Sequence, residues 1–144
     1  MPDVVVTVPK DFWFDDKTGL AAWIAEGDAA GEPESGIEWY FTLGGYNYPN
    51  IKPGERVYIV HNNKLRGYAP LVRLHCYADE DDAAGEFGDL EDCPPRRRIP
   101  GFALVRKGGA VAVTIAELIR GFQGFRYRWW EYEQEMPFPD WTKP

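Results

Sequence analysis

The residues best equipped for chemistry lie near the end of the chain, in GFQGFRYRWWEYEQEMPFPDW, Gly121 to Trp141. If Phe125 begins a strand, alternate side chains share a face. Phe125, Tyr127 and Trp129 then form one face, and Arg126, Arg128 and Trp130 the other. The first set reads as core. The second places two guanidiniums beside an indole, which suits a phosphate and a stacked base. A plainer reading stands beside it: Arg126 and Arg128 pair with carboxylates such as Glu131, while Trp130 covers the edge of the core. A second aromatic run, IEWYFTLGGYNY from Ile37, offers Trp39 or Tyr40 as one wall of a cage, with Tyr46 and Tyr48 on the adjoining loop. Large rings are core more often than cage, which weighs against Trp39 alone. Lys64 and Arg66 would add positive charge for phosphate or base edges.

Catalytic residue types are sparse. The chain has two histidines, His61 and His75, and a single serine, Ser35, with no Gly-x-Ser-x-Gly. His75 and Cys76 are adjacent in a strand and point to opposite faces, and no Cys-x-x-Cys exists, so neither a metal nor another cofactor is expected. GFQG, Gly121 to Gly124, has the form of a Gly-x-x-Gly loop but carries Phe and Gln at its centre, and reads as a turn. There is no phosphate-binding glycine motif. Glu38 or Glu117 beside Lys64 or an arginine would make an acid–base set for a small amidohydrolase-like enzyme on nucleoside-type substrates, although nothing in the spacing requires it. A non-catalytic role is the leading expectation.

The elements that must position these residues are mostly strands. VVVTVPK, Val4 to Lys10, is β-branched and bounded by Pro9. Leu20, Trp23 and Ile24 recur at helical spacing after Asp16 or Thr18, and Gly27 could end that helix. Ile37 to Gly45 is a strand. Arg56 to His61 and Leu65 to Tyr77 flank NNK, and Asn tolerates the left-handed backbone of a tight hairpin; Gly67 and Pro70 predict a bulge or an edge. Phe102 to Val105 and Ala110 to Ile115 read as a second hairpin turning at KGG, and IAELIRG as one or two helical turns. The pattern predicts a β-rich α+β domain over 1–144. It has five to seven strands in a partly closed mixed or antiparallel barrel with one or two short helices. A long acidic-to-basic loop spans 78–100, and an extended aromatic and proline tail spans 133–144.

Charge is uneven. The net charge is −7, yet residues 79–92 hold eight acidic residues and no basic one; without them the balance is +1. Residues 96–130 hold eight basic residues against Glu117 alone. A basic face on an acidic protein can bind an anion, while the plainer reading is two solvated loops of opposite sign. The acidic stretch lacks the spacing of an EF-hand. No apolar run approaches the roughly 20 residues of a membrane helix, so no membrane partner is expected. Two cysteines are too few for a disulfide scaffold, and a cytoplasmic protein is the default.

The stretch NIKPGERVYIVHNNKLRGYAPLVRL resembles the PUA-like superfamily, which includes the ASCH and EVE domains. Gly54, Glu55, Val57, Tyr58, Ile59 and Val60 match a Gly-acidic turn feeding an apolar strand, and Leu65 and Gly67 match the strand after it. The basic-plus-hydroxyl motif of ASCH proteins is absent, so their catalytic set does not carry over. The resemblance implies a small barrel whose cleft receives RNA or a modified base. The expected partner is therefore RNA, single-stranded nucleic acid or a modified nucleotide, with Trp39, Tyr40, Lys64, Arg66, Arg126, Arg128 and Trp130 lining the site. The other expectation is an interaction module whose PFPDW tail docks on a partner or, as a homodimer, on a second copy.

Overall fold

Three consecutive valines form the centre of the fold. In the computed structural model, which describes residues 3–10, 12–14, 16–30, 39–44, 48–76, 101–106 and 110–138, Val4, Val5 and Val6 are all buried. They belong to β1 (Val4–Thr7), and a strand covered on both faces must be apolar at successive positions. Its neighbours are β5 (Arg56–His61), which runs parallel to it, and β10 (Phe125–Tyr127), which runs antiparallel. With β6 (Lys64–Pro70) they make a sheet of order β10-β1-β5-β6. A second sheet has β8 (Gly101–Arg106) between β4 (Trp39–Gly44) and β7 (Arg73–Cys76). Two small pairs complete the strands among the described residues: β2 (Trp13–Phe14) with β3 (Lys17–Thr18), and β9 (Val113–Thr114) with β11 (Met136–Pro137). One helix, α1 (Gly19–Ala30), follows β3.

Alternation along β1 and β5 divides the apolar interior in two. Val4 and Val6, with Val57 and Ile59, join Leu20 and Trp23 of α1 and Leu74, Phe102 and Leu104 of the second sheet. Val5, Tyr58 and Val60 face the other way, onto Leu65, Ile115, Ile119 and Trp130. The first sheet is therefore sandwiched between the second sheet with α1 and a layer made by the C-terminal part of the chain.

The Asn-Asn hairpin forms as expected. Asn62 and Asn63 take left-handed φ of 53° and 64°, the geometry of a two-residue turn between β5 and β6. The expected bulge is at Arg66: Ile59 pairs with Gly67 and Val60 with Leu65, which makes Arg66 the extra residue of the bulge. Other expectations change. The helix passes through Gly27 to Ala30, since packing of Leu20 and Trp23 outweighs one glycine. β8 pairs with β4 and β7 rather than with Ala110–Ile115, and Val111 bridges Tyr68 instead. IAELIRG forms no helix. The tail makes a short 3-10 turn (Tyr132–Gln134), and β11 then folds back onto β9. The acidic-to-basic loop lies outside the described residues apart from its flanks, as does the tail beyond Phe138.

The protein is β-rich with few helices and several sheets, and no closed barrel forms among the described residues. The two sheets join on one side through Leu71 and Val72, whose N–H groups donate to Glu55 and Val105 carbonyls at 2.8 Å each. On the other side, β10 and β4 are both edge strands, leaving a seam. Among the described residues no helix is long and apolar enough to cross a membrane. Cys76 is disulfide-bonded, and the one other cysteine, Cys93, lies outside the described residues. A paired cysteine removes the compositional argument for a reducing compartment.

Candidate functional site

The seam opens into a cleft of about 310 Å³. Thr7, Pro9 and Phe12 line it from the end of β1, Phe41, Thr42 and Leu43 from β4, and Phe122, Gln123 and Gly124 from the turn before β10. Local sequence explains the shape. Gly124 has φ +74°, a conformation that side chains resist, so it lets the chain turn sharply into β10. The Phe122 N–H donates to Thr7 Oγ1 at 3.0 Å, which pins that turn to the end of β1. At Gly121 an added Cβ would meet Thr7 Cγ2 at 3.3 Å, so the turn lies close against β1. The Phe12 and Phe41 rings are 5.7 Å apart. Arg126 places its guanidinium 4.5 Å from the centre of the Phe122 ring. Phenyl rings thus form much of the wall, and an exposed cation lies over one of them.

Of the residues expected to bind, none lines this cleft with a described side chain; Arg126 touches it only through the Phe122 ring. Trp39 and Tyr40 lie on β4 opposite Arg106 and Val105, and their side chains are outside the described residues. Trp130 is 3% exposed and belongs to the second core, edge-on to Tyr58 at 5.0 Å. It is not free to stack on a base. Arg128 donates from Nε to Asp3 Oδ2 at 3.0 Å and also hydrogen-bonds the Trp130 carbonyl. The expected open face of Arg126, Arg128 and Trp130 therefore does not exist. Arg126 pairs with Val5, whose face is that of the second core. Trp129 is exposed and Trp130 buried, the reverse of the strand reading, and Tyr127 is exposed too. Arg66 is also buried, with Nε on the His61 carbonyl at 3.0 Å. Lys64 reaches the Ile115 carbonyl at 3.5 Å, and both cations lie over the Phe138 ring. β6, which carries them, is the sheet edge opposite β10, three strands or roughly 14 Å from Arg126.

No family model, curated protein or solved structure matches this chain.

A second constellation, which the sequence did not reveal, ties the two ends of the chain together. Asp3 is 2% exposed. Its Oδ1 accepts the Arg56 N–H at 2.9 Å, and its Oδ2 accepts Arg128 Nε and the Tyr132 hydroxyl, the latter at 2.7 Å. Glu135 accepts from the Tyr58 hydroxyl at 2.5 Å, Trp130 Nε1 at 2.9 Å and Arg56 at 3.1 Å. The Arg56 guanidinium also lies 4.2 Å from the Tyr68 ring centre and 4.4 Å from that of Tyr132. Burial alone would raise the Asp3 pKa, but the Arg56 N–H, the Tyr132 hydroxyl and Arg128 outweigh it and hold the carboxyl below its ordinary value. Burial, and donation to Glu135, push the Tyr58 phenol well above its usual range. A carboxyl held below its ordinary value, as Asp3 is, is a poor base, and a phenol so raised is a poor nucleophile. The network is a clamp rather than a reaction centre.

The Glu117–Lys64 form of the hydrolytic alternative does not assemble. Glu117 accepts the Trp129 indole N–H at 3.2 Å, and Lys64 turns to a carbonyl, so the pair does not form; Glu38 is outside the described residues. Among the described residues no three His, Cys, Asp or Glu side chains gather as a metal site. A polar cavity of about 340 Å³ lies between Lys10, Thr18, Gly19, His61 and Asn62. His61 Nδ1 faces the Val8 carbonyl at 2.9 Å, so that nitrogen carries the proton and Nε2 is the acceptor in the neutral ring.

Proposed function

We propose that this chain is a non-catalytic binding module that takes one planar ring, the base of a modified nucleotide or of a single-stranded nucleic acid, into the seam cleft. The carrying observation is the cleft itself: Phe12, Phe41 and Phe122 around about 310 Å³, with Arg126 over Phe122. That volume is at the small end of ligand pockets, so it suits one base and not a duplex. Stacking on an aromatic ring is worth about 1–3 kcal/mol per base. A broad basic track is not part of the reading. Arg128 is paired with Asp3, and Arg66 and Arg106 are buried, whereas Arg126 is exposed and in contact with a ring of this cleft, so it is the residue assigned to a phosphate. The likeness of residues 54–67 to PUA-like domains agrees with this reading but supports the scaffold only. Glu55 Oε1 caps the Lys52 N–H at 2.7 Å in the turn before β5, away from the cleft.

Calorimetric titration with nucleosides, nucleoside monophosphates and a short single-stranded RNA tests this. Phe122→Ala should weaken every binder by about 5- to 100-fold, the value of one stacked ring. Arg126→Glu should weaken only those that carry phosphate, and raised salt should act in the same selective way. If no base-bearing ligand binds at low salt, the reading is wrong.

A further inference from the structure

We propose that Trp129 and Glu117 form a docking surface, separate from the seam, for a lysine- or arginine-bearing segment of another protein. Trp129 is 43% exposed yet fixed. Its indole N–H donates to Glu117 Oε1 at 3.2 Å, and its ring meets Trp130 edge-on at 5.0 Å and 86°. An indole held in one orientation while open to water binds without a further ordering cost, the property that makes Trp a frequent interface anchor. Leu118, the residue after Glu117, is 71% exposed, and Tyr132 and Met136 are also open. Exposed apolar groups are unremarkable singly, but here they gather in one stretch and the loop bonded to it.

Charge identifies the occupant. Glu117, Glu131 and Glu133 are exposed. Arg128 is committed to Asp3, so Arg120 and Arg126 are the exposed cations of this stretch, against those three carboxylates. Glu117 holds the indole through Oε1, and its second carboxylate oxygen is not used by that bond. An ammonium or guanidinium placed over the Trp129 ring would gain a cation–π contact and an ion pair at once. An acidic or phosphorylated partner would be repelled. Neither arm depends on the base-binding reading of the seam, whose walls are Phe12, Phe41 and Phe122.

The probe is a short lysine-glycine repeat peptide, with its arginine and glutamate counterparts, titrated into the full chain at low salt. Fluorescence and calorimetry provide the readouts. Binding of both basic peptides and not the glutamate peptide is expected. Trp129→Ala should weaken binding about 5- to 30-fold, the range of a cation–π contact that becomes desolvated. Glu117→Gln should weaken it more than Asp16→Asn, which removes the same charge at an exposed site on the β2–β3 turn. Three results overturn the proposal: no binding at low salt, full affinity in Trp129→Ala, or equal losses in Glu117→Gln and Asp16→Asn. A fourth does so differently. If only the triple variant Arg96→Ala, Arg97→Ala, Arg98→Ala binds, the chain's own basic segment is the occupant.

Discussion

Replacing Asp3 by Asn tests whether the clamp holds the chain ends. The change keeps the shape and removes the charge. Three donors converge on that carboxylate: the Arg56 N–H, Arg128 Nε and the Tyr132 hydroxyl. An Asn carbonyl could still serve the Arg56 N–H, but its amide would face Arg128 donor to donor. Removing one partner of a buried pair costs about 3–5 kcal/mol, because the other charge is left uncompensated. The Arg128 side chain is 12% exposed, so some water reaches it and the lower end applies. Tyr132 is exposed and can turn its hydroxyl to water. The expected loss is about 3 kcal/mol, a large part of the roughly 5–15 kcal/mol that holds a domain together. In urea denaturation, with a slope of about 1–3 kcal/mol/M, the midpoint should fall by roughly 1–3 M.

The effect must also be coupled to Arg128. In an Arg128→Met background, Asp3→Asn should cost at least about 1 kcal/mol less than alone. The pH dependence has a fixed sign. The folded pKa of Asp3 lies below its ordinary value of 3.8, so its contribution is whole above that pH and is lost as pH falls through the folded pKa. The wild-type chain should therefore lose stability in that acid window more steeply than Asp3→Asn. A midpoint shift under about 0.3 M, or strict additivity with Arg128→Met, would refute the clamp.

Two further substitutions test the packing. Trp130→Ala should cost about 3–5 kcal/mol in the same unfolding assay, the value of a buried large ring, while Trp129→Ala should cost under about 1 kcal/mol; comparable losses would mean that the assignment of buried and exposed indoles is wrong. Asn62→Val should cost about 1–2 kcal/mol by forcing a β-branched residue into a left-handed turn, with Asn62→Gly near neutral, as thermal midpoints would show.

What the sequence made legible follows from how far each signal reaches along the chain. β1 and the Asn-Asn hairpin are local: a β-branched run and two residues that tolerate positive φ suffice to specify them. The second expected hairpin failed because an apolar strand carries no address. Phe102–Val105 reads equally well beside Ala110–Ile115 or between β4 and β7, and only tertiary packing decides. The clamp was invisible for the same reason, since Asp3 and Arg128 are 125 residues apart and nothing local links the two. The cleft was half legible. The aromatic surplus near the end of the chain does reach it, but through Phe122 of the turn that GFQG suggested and not through the rings that follow. The decisive step is the covering of one face of β10. Arg126 pairs with Val5, and Val5 packs with Tyr58 and Trp130, so the face that the sequence suggested was outer is the face of the second core. Trp130 packs there on Tyr58 and Glu135, while Trp129 stays in water. Adjacent, chemically identical residues thus take opposite roles according to which face is covered. The Trp130→Ala and Trp129→Ala pair reads this directly, since a core of Phe125, Tyr127 and Trp129 predicts the reverse order of stability losses.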